Sequence, residues 1–141
     1  MDKLLFVYGT LKRKGRLNHH LVAAKAEFLG EGRAYGQLFD IGGLFPVLVR
    51  PADTDMVKTG IFGEVWRMHD PQVTLEQLDY LEGVAGGLYE RQQIPVSWRD
   101  DTTRQLQITQ AWTYLPHGDW WQQGARFCES GRWPEVKLLI Q

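Results

Sequence analysis

The sequence predicts an α+β protein: a small mixed, mainly antiparallel β-barrel with flanking helices. Three observations carry that expectation. Apolar runs of strand length outnumber helical ones, two helix-like segments interrupt them without regular βαβ alternation, and several of the 15 glycines fall inside or between the runs, where a strongly curved sheet needs them. The chain has 141 residues, 43% of them hydrophobic, which is enough for one substantial core. No repeat, low-complexity tract or linker divides it, so a single domain over residues 1–141 is expected.

The elements follow in order. Phe6-Val7-Tyr8 ends an apolar run that reads as a buried strand and breaks at Gly9. Leu17, Leu21, Ala24 and Phe28 recur at helical spacing and predict a helix over residues 16–28, with Asn18 as its N-cap and Gly30 and Gly32 closing it. Residues 33–41 alternate as a strand, with Ala34, Gly36 and Leu38 on one face, before Gly42-Gly43 turns the chain. Residues 45–49 form a strand that Pro46 confines to a sheet edge or strand start. Residues 51–58 are a polar loop, and residues 59–66 are another strand, whose glycines imply a bulge, a bend or close backbone approach. Asp70-Pro71 starts a helix with an apolar edge of Leu75, Leu78 and Leu81, which Gly83 stops, so Glu82 falls in its last turn. Strands follow over residues 88–98 and 106–115. The remainder, with Trp120, Trp121 and Trp133, reads as loop until residues 136–140.

A formal net charge of −1 with interspersed signs gives no electrostatic footprint for nucleic acid or an anionic membrane. No apolar stretch approaches the roughly 20 residues that span a bilayer, and the amino terminus lacks the apolar core of a signal peptide. The lone Cys128 cannot form an internal disulfide, and no base or electropositive helix start activates it. A cytoplasmic chain, a monomer or weak homodimer, with a small neutral or zwitterionic partner is the expectation.

The candidate site is the loop Tyr8-Gly9-Thr10-Leu11-Lys12, whose backbone amides can converge on an anion if glycine supplies positive φ or close approach. The competing reading is a plain turn, and no Walker-type spacing forces a phosphate. Glu82 is the carboxylate of interest, because negative charge is disfavoured at a helix carboxyl end and lysine would serve stability better there. Facing a pocket, its pKa would rise towards that of a general base; facing solvent, it would be an ordinary surface acid. Tyr89 and Arg91 share one strand face, as do Trp112 and Tyr114. They either line a pocket or fill the barrel, with Trp112 the better core residue. His19 and His20 are adjacent and cannot share a metal, and His69, His117 and Cys128 have no ligand spacing, so no metal site is expected. Thr10 has no local base to make it a nucleophile.

Taken together, Tyr8-Gly9-Thr10-Leu11-Lys12, Asn18-His19, Gly63-Glu64-Val65-Trp66, Leu78-Asp79-Tyr80-Leu81-Glu82-Gly83 and Tyr89-Glu90-Arg91 resemble the γ-glutamylcyclotransferase-like family, nearest its γ-glutamylamine, AIG2-like branch. The resemblance implies a small mixed barrel in which Tyr8, Gly9, Thr10 and Leu11 hold the glutamyl part of a substrate and Glu82 is the catalytic acid/base. It implies release of 5-oxoproline and a free amine from a γ-glutamyl amine, with no metal and no organic cofactor. Tyr89 and Tyr114 are the further substrate-binding candidates. A non-catalytic module holding a small carboxylate on the same loop is the alternative.

Overall fold

The computed structural model describes residues 3–50 and 59–135. Among them the chain forms β1 (Leu4–Val7), α1 (His19–Ala23), β2 (Glu27–Ile41), β3 (Phe45–Val49), β4 (Thr59–Arg67), α2 (Pro71–Leu81), β5 (Tyr89–Arg99), β6 (Leu106–Pro116) and β7 (Ala125–Phe127). The polar loop expected at residues 51–58 and the segment at 136–140 lie outside the described residues.

Strands run in the order β2-β4-β1-β6-β5 and return to β2 through Gly32 opposite Trp98 and Arg33 opposite Ser97, which closes a five-stranded barrel. The far end of the long β2 leaves the barrel and takes β3 and β7 as antiparallel partners. Every ladder is antiparallel except β1–β6, whose one register pair is Leu5 with Trp112. The expected mixed, mainly antiparallel barrel with outer helices is therefore present. Pro46 lies in β3, which pairs with β2 alone, as a strand without that N–H requires.

The apolar run of β1 is buried on both faces, which is why it shows no polar alternation. Phe6 and Tyr8 point into the barrel core with Ile61, Val65 and Ile94, while Leu5 and Val7 pack outward against Leu21, Leu75 and Leu78 of the helices. Gly63 is required beside this strand, because a Cβ there would sit 2.5 Å from the Val7 carbonyl oxygen. No helix among the described residues is long and apolar enough to cross a membrane.

The second helix forms as its sequence dictates. Asp70 is extended and its carboxylate accepts the Val73 N–H at 3.3 Å, Pro71 opens the first turn, and Gly83 stops it at φ +66°. Glu82 is the C-cap rather than a residue of the last turn.

The first helix does not match its expected span. It covers five residues, and Phe28 belongs to β2. Lys25 takes φ +59°, Ala26 N–H returns to the Leu21 carbonyl and Lys25 N–H to that of Val22, a left-handed terminal turn that usually recruits glycine. Lysine in that position left no helix-stop signal, so the apolar spacing ran on into the strand. Asn18 is itself helical in φ and ψ, and its side chain caps nothing. Gly30 and Gly32 are strand residues, with a register shift between Phe28 and Gly30.

Beyond Leu5–Trp112 the parallel strands part, and Thr113 Oγ1 bridges the gap by donating to the Phe6 carbonyl at 2.9 Å in a fully buried position. Thr113→Val keeps the shape and strands that carbonyl, so urea unfolding should report a loss of about 1–2 kcal/mol with an unchanged m-value.

Candidate active site

Where β1 and β6 separate, a cavity of about 250 Å³ opens. The loop after β1 contributes Tyr8, Gly9, Thr10 and Leu11 to its lining, the end of α2 contributes Glu82, β5 contributes Tyr89, and β6 contributes Tyr114. The structure thus brings all seven candidate site residues to one cavity.

The loop is held by its side chains and by neighbours, and its amides are left unbonded. Asn18 Nδ2 donates to the Leu11 carbonyl at 2.9 Å. The buried Glu64 carboxylate accepts from Arg13 N–H at 2.8 Å, Arg13 Nε at 3.0 Å and Trp66 Nε1 at 3.1 Å. Lys12 is no simple surface residue: its Nζ donates to the Trp133 carbonyl at 2.6 Å, and burial lowers its pKa. The Gly9, Thr10 and Leu11 N–H groups donate to no acceptor among the described residues. Glycine at position 9 serves close approach rather than positive φ, since an added Cβ would lie 2.7 Å from Pro46 Cγ.

The three tyrosines differ in what their hydroxyls have left to offer. Tyr8 Oη donates to the Tyr114 carbonyl at 2.5 Å and accepts the Leu48 N–H at 3.2 Å, so it presents its ring to the cavity. Tyr114 Oη donates to Asp79 Oδ1 at 2.7 Å and is committed to α2. Tyr89 Oη reaches only the Pro46 carbonyl, at a long 3.5 Å, and is the hydroxyl best able to exchange partners. Burial raises the pKa of all three, with Glu82 adding to each, so they remain neutral donors.

The Glu82 N–H donates to the Leu78 carbonyl at 2.8 Å, but its carboxyl makes no hydrogen bond or ion pair with any described residue. Burial pushes its pKa up to about 7. The expected helix-end effect acts in the same direction. A half-buried carboxyl of that pKa exchanges a proton readily near neutrality. Arg91 and Trp112 are not in the lining: Arg91 pairs with Asp79 at 3.5 Å and lies 5.0 Å over the Trp112 ring, which packs among the helix-side apolar residues. Cys128 is buried inside the barrel cluster, and burial lifts its thiol to about 11, far from a thiolate nucleophile.

Sequence reasoning missed Arg16, Phe45 and Trp120, which also line the cavity. Arg16 was assigned to the start of the helix, Phe45 to the start of a strand, and Trp120 lies in an aperiodic loop whose signal was its aromatic content. A second hollow of about 460 Å³ shares Gly9, Thr10 and Arg16 but is lined by Lys12, Arg13 and Lys14 and holds no carboxylate.

A closed mixed barrel with an unpartnered carboxyl and a loop of unpartnered amides in one cavity lining defines a class of small-molecule site. The family model described as gamma-glutamyl cyclotransferase, AIG2-like, matches residues 5–135, and the chain belongs to that family. Among solved structures it is similar to YkqA from Bacillus subtilis, at 26% identity over 94% of this chain and TM-score 0.66, although the match spans only 40% of that protein. It is also similar to c4763, a uropathogenic E. coli-specific protein, at 22% identity over 94% of this chain and 93% of that one, with TM-score 0.69. An AIG2-like protein from Mus musculus has 22% identity over 91% of this chain and 86% of that one, with TM-score 0.65. No curated protein matches the chain.

Two outcomes follow from this geometry. The pKa of Glu82 is raised on folding, so the folded state binds its proton more tightly than the unfolded chain does. That contribution is complete below the ordinary glutamate range and is lost as pH rises through about 7. Glu82→Gln should therefore be more stable than the native chain above neutrality, by ~1 kcal/mol after allowing for solvent screening, and the difference should vanish in acid. Thermal melts across this range check it. Gly9→Ala should cost about 1–3 kcal/mol by driving the loop off Pro46, readable in the same melts.

Proposed function

We propose that this chain is a cyclotransferase that releases 5-oxoproline and a free amine from a γ-glutamyl amine or a related small molecule. One observation carries the reading: a carboxyl without a protein partner, with its pKa near 7, shares a cavity with three unbonded backbone amides. Those are the two things the reaction needs. The amides of Gly9, Thr10 and Leu11 would hold the substrate α-carboxylate, and Tyr89 Oη would add a donor from β5.

The substrate supplies its own nucleophile. Held in a ring-like conformer, its α-amine attacks its own γ-carbonyl carbon, and the high effective molarity of such an attack contributes up to roughly 7–11 kcal/mol in favourable cases. Glu82 takes a proton from the α-ammonium, the new N–C bond closes the five-membered ring, and the bond to the leaving nitrogen breaks. The ring nitrogen sheds a second proton as the ring closes, Glu82 relays both protons in turn to the leaving nitrogen, and the amine departs as its ammonium ion with no co-reactant consumed. No serine or cysteine nucleophile is required.

The assay is 5-oxoproline release from a panel of γ-glutamyl amines and peptides. Glu82→Gln should lower kcat/KM by about 10²–10⁴ on any substrate turned over. For the native chain kcat/KM should rise with pH through about 7, as the free enzyme's Glu82 becomes a base. Equal rates for the two proteins would remove Glu82 from the mechanism. Ligand binding without turnover of any panel member would instead favour a carboxylate-binding module.

A further inference from the structure

Three aromatic rings cluster in the cavity lining. Trp120 lies with its ring centroid 5.6 Å from that of Tyr89, edge-on at 66°, and 6.1 Å from that of Phe45. Its indole is fixed: Nε1 donates to the Leu88 carbonyl at 2.7 Å, and the same carbonyl accepts His117 N–H at 2.9 Å. These bonds tie the loop carrying Trp120 to the segment that follows Glu82. The three rings come from three separate parts of the chain and meet at the cavity with the acid.

We propose that Phe45, Tyr89 and Trp120 form the leaving-amine subsite and that its preferred occupant is an uncharged aromatic amine. The proposal rests on the cyclotransferase reading and names the substrate class for the same site. A glutamyl group placed on the loop amides directs its γ-substituent away from them, towards a lining that holds the three rings together with Pro46, Leu81 and Leu88 and no cation but Arg16. Its rings offer edge and face contacts to another aromatic group and bury apolar area.

Charge decides against a cationic leaving group such as a diamine. A distal ammonium needs a carboxylate, and Glu82 is the only acid in the lining. The neighbouring acids do not supply one. Asp79 is taken by Tyr114 and Arg91, Glu64 by Arg13 and Trp66, and Glu90 by Gln92 and His117. Asp119 is exposed and outside the lining.

The test is calorimetric binding to Glu82→Gln protein, which does not depend on turnover, with three probes: the phenethylamide, methylamide and aminobutylamide of γ-glutamate. The phenethylamide should bind about tenfold or more tighter than either of the others. Adding Trp120→Ala should reduce that ratio to within about threefold, and Trp120→Phe should preserve most of it. Phe45→Leu gives an independent reading should Trp120→Ala fail to fold, and should also narrow the ratio. Equal affinities, tightest binding of the aminobutylamide, or a ratio that survives loss of the Trp120 ring in folded protein would each overturn the subsite. If the native chain releases no 5-oxoproline but the affinity order and its dependence on Trp120 hold, the cyclisation reading falls and the aromatic subsite stands. Failure of all three probes to bind would overturn both.

Discussion

The Tyr8 hydroxyl joins parts of the sheet that no ladder joins. β3 is bonded only to β2, and β6 is bonded to β1 and β5. Tyr8 takes the Leu48 N–H from β3 and gives its own proton to the Tyr114 carbonyl of β6, inside the barrel core. Burial keeps its pKa well above the ordinary tyrosine value, so the hydroxyl stays protonated and both bonds persist at any working pH. The cavity can open where β1 and β6 part because this bridge holds the surrounding strands. The next residue must then pass beneath the Pro46 ring, which leaves room only for glycine.

Around that bridge the chain divides polar work in an unusual way. Buried polar groups in folded proteins are almost always paired, and the anchors here obey the rule: Glu64 is bonded three ways, Asn18 holds Leu11, and Lys12 reaches Trp133. Among the described residues the buried Trp112 Nε1, outside the cavity lining, has no partner. At the cavity the loop amides have donors to offer and the Glu82 carboxyl has acceptors, where a ligand would complete them. The Tyr8 and Lys12 side chains thus help to hold the loop, and its amides at Gly9, Thr10 and Leu11 are left without acceptors among the described residues.

How much of this was legible in the sequence depended on whether the signal was local. Asp70-Pro71 and Gly83 fixed both ends of α2, and alternation in β2 and the apolar run of β1 gave the right faces, because caps and periodicity act within a few residues. The end of α1 was hidden by Lys25 in a left-handed position that carries no glycine. β7, three residues long, exists only because β2 offers an edge to it, and nothing within Ala125–Phe127 announces a strand. In the site, the loop and Glu82 could be paired from residues and family resemblance. The roles of individual hydroxyls could not, because Tyr8 and Tyr114 are committed to partners 106 and 35 residues away. Trp120 was invisible for the same reason: its neighbours, Phe45 and Tyr89, are distant in the chain.

The environment of Glu82 suits it to the proposed roles of both base and acid. Burial raises its pKa even with Arg16 in the same cavity lining. A guanidinium close by would lower a carboxylate pKa by one unit or more and leave a weak base. Arg91 comes from the same strand face as Tyr89, yet its charge is drawn to Asp79, three residues before Glu82 on α2, and Asp79 is further held by Tyr114. Asp79 therefore fastens the carboxyl end of the helix to β5 through Arg91 and to β6 through Tyr114. A pKa near 7 leaves comparable amounts of both protonation states at neutrality, which is the condition under which a single group can accept a proton in one half of a reaction and return it in the other.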